Sequence, residues 1–279
     1  MKIAALQYQY DFPKDFETYR NKVEKTVEFH AAQGIDLLLF PEYAGLEMLS
    51  FAALEQLDNY LPAYLKMFEE LSLKHRMLIC NGTHVVKTAD GMFNRSFLFA
   101  PGKKPVFQDK CVITPFEAEE GVVNAGNCMK LFETDLGKIG ICICYDSEFP
   151  PLVRKLVDAG AELILVPSYT STMHGYYRVF LSCRARALEN QCYVVQSAIV
   201  GQTDIEMAYG ASAICSPVDN GFPEDGLIAV GTLNRAESVK AEIDLSRLKM
   251  VRSSGQTKNF ADSQMLSQRS ISFELLDLR

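Results

Sequence analysis

Short apolar runs alternate along the chain with longer stretches whose apolar residues recur every three or four positions, a pattern of strands interleaved with amphipathic helices. Residues 2–7 predict a strand. Residues 15–33 predict a helix with Phe16, Val23, Val27 and Ala31 on its apolar face, stopped by Gly34 just past its end. The largely apolar run 35–40 predicts the next strand, and a helix within 52–75 and a strand over 77–82 follow. Residues 93–100 and 105–108 flank Pro101-Gly102-Lys103-Lys104 and predict a hairpin; 130–133 and 138–144 flank a second turn at Thr134-Asp135-Leu136-Gly137. Then come a helix over 150–159, a strand over 162–166, a helix over 176–189 and a strand over 192–198. Strands near 211–215, 227–231 and 238–243 complete the alternation. No linker or shift in composition interrupts it, so residues 1–279 are expected to form one domain.

The pattern contains an echo. The run from Gly34 through Asp36 to Pro41-Glu42-Tyr43 resembles the run from Gly160 through Glu162 to Pro167-Ser168-Tyr169. Each is a helix, a glycine, an acidic residue opening an apolar strand, then proline and a polar residue at the strand's exit. Two such units predict an α/β fold in αββα layers with related halves. Ligands of open α/β sheets collect beyond the C-terminal ends of strands, which would gather Glu42, Cys144 and Ser168 around one mouth. A proline that merely stops each strand is the plainer account.

Composition adds limits. An apolar content of 48% and a charged content of 23% are ordinary for a globular chain with a large core. The net charge of −7 argues against nucleic acid or an anionic membrane as main partner. The N-terminal run reads as a strand and not as a signal peptide, and no apolar stretch approaches the ~18 residues of a membrane helix. The eight cysteines sit mostly inside apolar strand or helix patterns, so reduced thiols and a cytoplasmic location are expected. Cys142 and Cys144 lie two apart in one strand without a Cys-x-x-Cys or paired histidines to complete a zinc site; neither metal nor cofactor is expected.

Cys144 carries the sharpest chemical signal. The apolar run ending Gly140-Ile141-Cys142-Ile143-Cys144 gives way to Tyr145-Asp146-Ser147-Glu148-Phe149-Pro150, a strand-to-helix elbow. A nucleophile there is exposed, with free backbone N–H groups beside it, an arrangement suited to acyl transfer. Packing alone would also account for a buried cysteine. Of the histidines that could act as its base, His30 and His75 fit surface or structural roles, whereas His84 and His174 could in principle approach it. Glu42 is the favoured base: a carboxylate directly after an apolar strand is pulled toward low dielectric, which raises its pKa into a useful range. Lys110, with Glu117 seven residues on, could be a held cation aimed at an oxyanion; taken singly, a lysine is usually solvated surface.

These segments resemble the nitrilase superfamily of carbon–nitrogen hydrolases. The motifs stand as Pro41-Glu42-Tyr43, Lys110 with Pro115-Phe116-Glu117, and Cys144-Tyr145-Asp146-Ser147-Glu148-Phe149-Pro150, in the family's order and spacing. Val166-Pro167-Ser168, the run 184–190 and the run 221–226 extend the likeness, the last most like a branch that also occurs fused to an acetyltransferase. The resemblance implies a four-layer αββα sandwich of the nitrilase type, dimerising to αββααββα across the helix bearing Tyr177, Phe180, Leu181, Ala185 and Leu188. It implies Glu42 as base, Cys144 as nucleophile, and Lys110 with the backbone N–H of Tyr145 as oxyanion donors. Glu117 would orient Lys110, although relatives often place this glutamate one residue further on, which leaves Glu119 or Glu120 open. Asp146 is expected to pin the elbow, and Ser168, Tyr169 and Thr170 to line the pocket. Glu148 stands where relatives often carry arginine, which argues against recognition of an anionic substrate there.

The expected reaction is metal-independent hydrolysis of a small linear amide. The alternatives are an N-carbamoyl amine as substrate, a catalytically idle binding protein, and a thiol redox sensor at Cys142 or Cys144. Specificity is expected in loops 44–60, 117–128 and 168–176.

Overall fold

The computed structural model describes residues 1–279, the side chain of Glu120 excepted. The chain runs β1 (Lys2–Tyr8), α1 (Phe16–Ala31), β2 (Leu37–Leu39), α2 (Leu57–His75), β3 (Leu78–Cys80), β4 (His84–Thr88), β5 (Gly91–Phe99), β6 (Val106–Asp109) and α3 (Pro115–Glu120). It continues through β7 (Leu131–Thr134), β8 (Gly137–Ile141), α4 (Pro150–Asp158), β9 (Leu163–Ser168), α5 (Met173–Asn190) and β10 (Tyr193–Ile199). The remainder is β11 (Gly201–Gln202), β12 (Met207–Ala208), β13 (Ala213–Cys215), β14 (Leu227–Val230), β15 (Glu237–Glu242), α6 (Ser246–Ser254) and α7 (Asn259–Ser267).

Apart from the small β11-β12 ribbon, pairing divides the strands into two sheets. One carries β15, β1, β2, β3 and β5, with β4 and β6 on β5; the other runs β7-β8-β9-β10-β13-β14. They join only where Gln7 and Tyr8 of β1 pair with Ala198 and Ile199 of β10. Strand alternation then builds the layers. Ile3, Ala5, Leu37, Leu39, Leu78 and Leu98 face the second sheet, in a core shared with α4 and α5. Their neighbours Ala4, Leu6, Leu38, Ile79, Phe97 and Phe99 face outward, onto Tyr19, Val23 and Val27 of α1 and Tyr64, Met67 and Phe68 of α2. The order is α1/α2, sheet, sheet, α4/α5, the αββα sandwich expected.

The echo marks equivalent places in the two sheets. Asp36 accepts the N–H of Lys2 at 2.7 Å, and Glu162 that of Lys138 at 3.3 Å, each tying the start of its strand to a neighbour. Other details differ from expectation. The buried face of α1 is Tyr19, Val23, Val27 and His30, with Phe16 and Ala31 only half-buried. His30 is tolerated inside because Thr26 O and Ser238 Oγ engage its two nitrogens at 2.7 and 2.8 Å. On α5 the expected stripe is split: Phe180 is buried, but Tyr177, Leu181 and Leu188 point outward. The strand expected over 138–144 ends at Ile141.

Candidate active site

Three chain breaks bring the site together at one end of the sandwich. After β2, Pro41 and Glu42 turn inward, and Tyr43 adopts a left-handed conformation with φ 62°. Gly82 makes that turn possible: it has φ +74°, and a Cβ there would lie 1.8 Å from Pro41 O. Thr83 completes the support by accepting the N–H of Tyr43 at 2.8 Å. Lys110 leaves the end of β6, its backbone N–H held by Asn94 O at 2.9 Å. Glu117 folds back in the first turn of α3, where Thr114 and Glu117 form a reciprocal capping box.

The charged groups close into one buried cluster. Lys110 Nζ donates to Glu42 Oε1 at 2.8 Å and to Glu117 Oε1 and Oε2 at 2.9 and 2.8 Å. Asn94 Nδ2 donates to Glu42 Oε1 at 2.9 Å and reaches Glu117 Oε1 at 3.3 Å. Tyr43 OH donates to Glu117 Oε1 at 2.5 Å, and the Tyr169 N–H to Glu42 Oε2 at 3.0 Å. Lys110 and Glu42 are each 1% exposed, so these bonds stand in low dielectric, where an unpaired charge would be costly.

Cys144 opens the 3₁₀ turn Cys144–Glu148 with φ 46°, a strained conformation for a residue with a Cβ. Its thiol sits beside the Glu42 carboxylate and donates to Tyr169 O at 3.4 Å. Asp146 fastens the elbow to the lysine segment. It accepts the N–H groups of Ile143 at 3.0 Å, Val112 at 2.7 Å and Cys111 at 3.1 Å. Tyr145 follows Cys144 at the start of the turn, where an N–H has no partner one turn back.

Burial dominates the protonation states. It raises Glu42 above the ordinary glutamate range, with Lys110 opposing and Glu117 adding to the rise. It works the same way on Glu117, but the Lys110 charge and the hydrogen bonds from Lys110, Tyr43 and Thr114 outweigh it and hold that carboxyl below its usual range. Burial opposes the Lys110 ammonium, yet Glu42, Cys144 and Glu117 together keep it above the ordinary lysine range. Burial and then the neighbouring Glu42 push the Cys144 thiol well above its usual value. The resting proton therefore sits on sulfur, beside a carboxylate whose basicity is enhanced.

Residues 2–253 match the profile of the carbon-nitrogen hydrolase family. The chain belongs to that family. This family member is 33% identical over 273 residues, 94% of its length, to the probable hydrolase YhcX of Bacillus subtilis. It spans about half of that relative, 53% of it. It is 34% identical over 118 residues to rat deaminated glutathione amidase, a match covering 42% of this chain and 33% of that one. Its fold is shared by Nit3 of Saccharomyces cerevisiae, a member of branch 10 of the nitrilase superfamily, with a TM-score of 0.76, 23% identity, and coverage of 91% of this chain and 93% of that one.

In this family member Cys144, Glu42, Lys110 and Glu117 open onto a cavity of about 630 Å³. Tyr145, Tyr169 and Thr170 line it; Ser168 does not. Strand β9 runs on through Ser168, in register with Ala198, and its hydroxyl donates within the sheet to Ser197 O at 2.9 Å. The chain turns toward the cavity only at Tyr169. Glu117 is the glutamate that meets Lys110, whereas Glu119 is exposed on α3 and the Glu120 side chain lies outside the described residues. No histidine lines the cavity among the described residues. His84 is buried against the ring of Tyr64, at 4.8 Å between centroids, and burial pushes it down to about 4; His174 is exposed.

Sequence reasoning missed Asn94, the Tyr43 hydroxyl, and the cavity residues Arg178, Asp204 and Glu206. An asparagine inside a predicted strand was a usable signal, since strands disfavour it unless its amide is engaged. Thr114-x-x-Glu117 was another, because a capping box fixes which glutamate folds back. Arg178 is paired with Glu148 at 3.4 Å, a contact between separate elements that no local pattern announces.

Proposed function

We propose that this chain hydrolyses the C–N bond of a small linear amide through a cysteine thioester. The observation that carries the reading is the buried Glu42–Lys110–Glu117 cluster beside Cys144 at the floor of the cavity. Glu42 takes the thiol proton as Sγ bonds to the carbonyl carbon, and the carbonyl electron pair moves onto oxygen. Lys110 Nζ and the Tyr145 N–H hold that oxyanion; one such donor is worth about 10²–10³ in rate. The tetrahedral adduct collapses, the C–N bond breaks, and Glu42 returns its proton to the departing nitrogen as ammonia or amine. Water, deprotonated by Glu42, then attacks the thioester; the carboxylic acid leaves and the thiol regains its proton. Glu117 keeps Lys110 charged and aimed. The raised Glu42 favours both of its roles, since a base nearer neutrality is also a better acid. The rat relative, deaminated glutathione amidase, supports the amide class.

The exposed row Tyr177, Leu181 and Leu188 on α5 supports a homodimer formed across that helix. The eight free thiols fit a reducing compartment such as the cytoplasm.

Incubation with a panel of primary amides and N-carbamoyl amines, reading ammonia and carbon dioxide, tests the reaction. Ammonia release without carbon dioxide, abolished in Cys144→Ala, is the expected result. Carbon dioxide in equal amount moves the assignment to N-carbamoyl amines, and no turnover of any member moves it to a binding protein.

A further inference from the structure

The two oxygens of Glu42 are not equivalent. Oε1 accepts Lys110 Nζ at 2.8 Å and Asn94 Nδ2 at 2.9 Å, whereas Oε2 accepts only the Tyr169 N–H, at 3.0 Å, among the described residues. A carboxylate oxygen offers about two lone-pair sites, so Oε1 is filled and Oε2 keeps one free. Lys110 cannot do this alone. Its three ammonium protons are already spent on Glu42 Oε1 and the two oxygens of Glu117, and stabilising an oxyanion must release one of them. The Glu117 Oε1 contact is the one that can be released, because Tyr43 OH and Asn94 Nδ2 also donate to that oxygen.

We propose that Asn94 is a positioning residue that fixes Oε2 of Glu42 as the atom receiving the thiol proton and keeps both carboxylates solvated when Lys110 turns to the substrate. The inference rests on the amidase reading above. Asn94 suits the task because it is fully buried on β5 and its amide donates without adding charge. Its backbone carbonyl accepts the Lys110 N–H, so one residue ties the carboxylates and the lysine into a single frame. A second cation in its place would lower Glu42 too far for a base; an apolar side chain would leave Oε1 half-filled, with Lys110 and the Tyr169 N–H alone to orient the carboxylate.

The test is the alkylation rate of Cys144 by iodoacetamide, followed from pH 4 to 9 by peptide mapping in wild type, Asn94→Leu and Asn94→Asp. Exposed Cys128 is the internal control. Losing a donor to a buried carboxylate raises its pKa. In Asn94→Leu the acid limb of the Cys144 profile should therefore move up by about one pH unit, with a roughly tenfold slower rate at pH values on the acid side of both limbs. Asn94→Asp keeps the shape but faces two carboxylates with a third, and its limb should move up further. Urea unfolding of each variant separates this from lost stability, which a purely structural asparagine would cost without moving the limb. Either folded variant with the wild-type profile overturns the inference and leaves the amidase reading intact. A wild-type Cys144 whose profile follows that of Cys128, with no carboxylate limb, overturns the amidase reading itself.

Discussion

Replacing Lys110 by methionine tests the charge balance of the site. The side chain keeps its length but loses the ammonium, leaving Glu42 and Glu117 buried together with only Asn94, Tyr43, Thr114 and Tyr169 as donors. At 2.8 Å and an effective dielectric of about 20, each carboxylate loses a gross attraction of roughly 6 kcal/mol. Desolvation of the lysine is recovered, so the net destabilisation at pH 7 should be about 3–5 kcal/mol, as for other broken buried pairs. The pH dependence is the sharper signature. Without Lys110 both carboxyls have folded-state pKa values above their unfolded ones, so their contribution to stability is fully present below the unfolded value and is lost as pH rises through the raised one. The difference from wild type should therefore be largest near pH 7 and shrink toward pH 5. The chain has no tryptophan, so urea unfolding is followed by far-UV circular dichroism. A difference under about 1 kcal/mol, or one that does not change with pH, would refute the reasoning, because buried carboxylates cannot lose their counterion without cost.

Other expectations follow from single contacts. Gly82→Ala places a Cβ 1.8 Å from Pro41 O at φ +74°; it should cost about 3 kcal/mol or more in urea unfolding and slow turnover by displacing Glu42. Asp146→Ala strips the acceptor from three backbone N–H groups and should cost about 3 kcal/mol while lowering kcat more than it raises KM. The cavity of about 630 Å³, walled by Leu46, Leu49, Leu54, Val85, Val122 and Val123, exceeds what the smallest amides fill. Across a series of straight-chain primary amides, kcat/KM should rise roughly fourfold per added methylene until the cavity is full, at about 0.8 kcal/mol each; a flat series would place the acyl chain elsewhere.

The layers were legible because two periodicities carry them. The runs around Leu37 and Leu163 are apolar on both faces, as strands between layers must be, and the helices before them show a helical stripe. The terminal helices α6 and α7 escaped notice because they bury almost nothing; only Leu248 and Val251 of α6 are buried. Strand β4 was hidden by its neighbour: Gly82-Thr83 reads as the end of a strand, yet the chain runs on in the same direction along β5 after a short break and pairs with it again. Within the site, Glu42, Lys110 and Cys144 each follow an apolar strand, and that placement shows in one dimension. Ser168 obeys the same rule and fails, because an exit from an apolar run does not say on which residue the strand ends. Asn94 and Arg178 act through partners distant in sequence, so only the folded chain displays their roles.

The central claim is that Glu42 acts as base for Cys144, and the most direct measurement is the pH profile of Cys144 alkylation by iodoacetamide in wild type and Glu42→Gln. Burial raises Glu42, so the wild-type rate should climb through an acid limb above the ordinary glutamate range. Glu42→Gln should lose that limb and react only as pH approaches the raised thiol value. A Cys144 profile unchanged by Glu42→Gln would contradict the account.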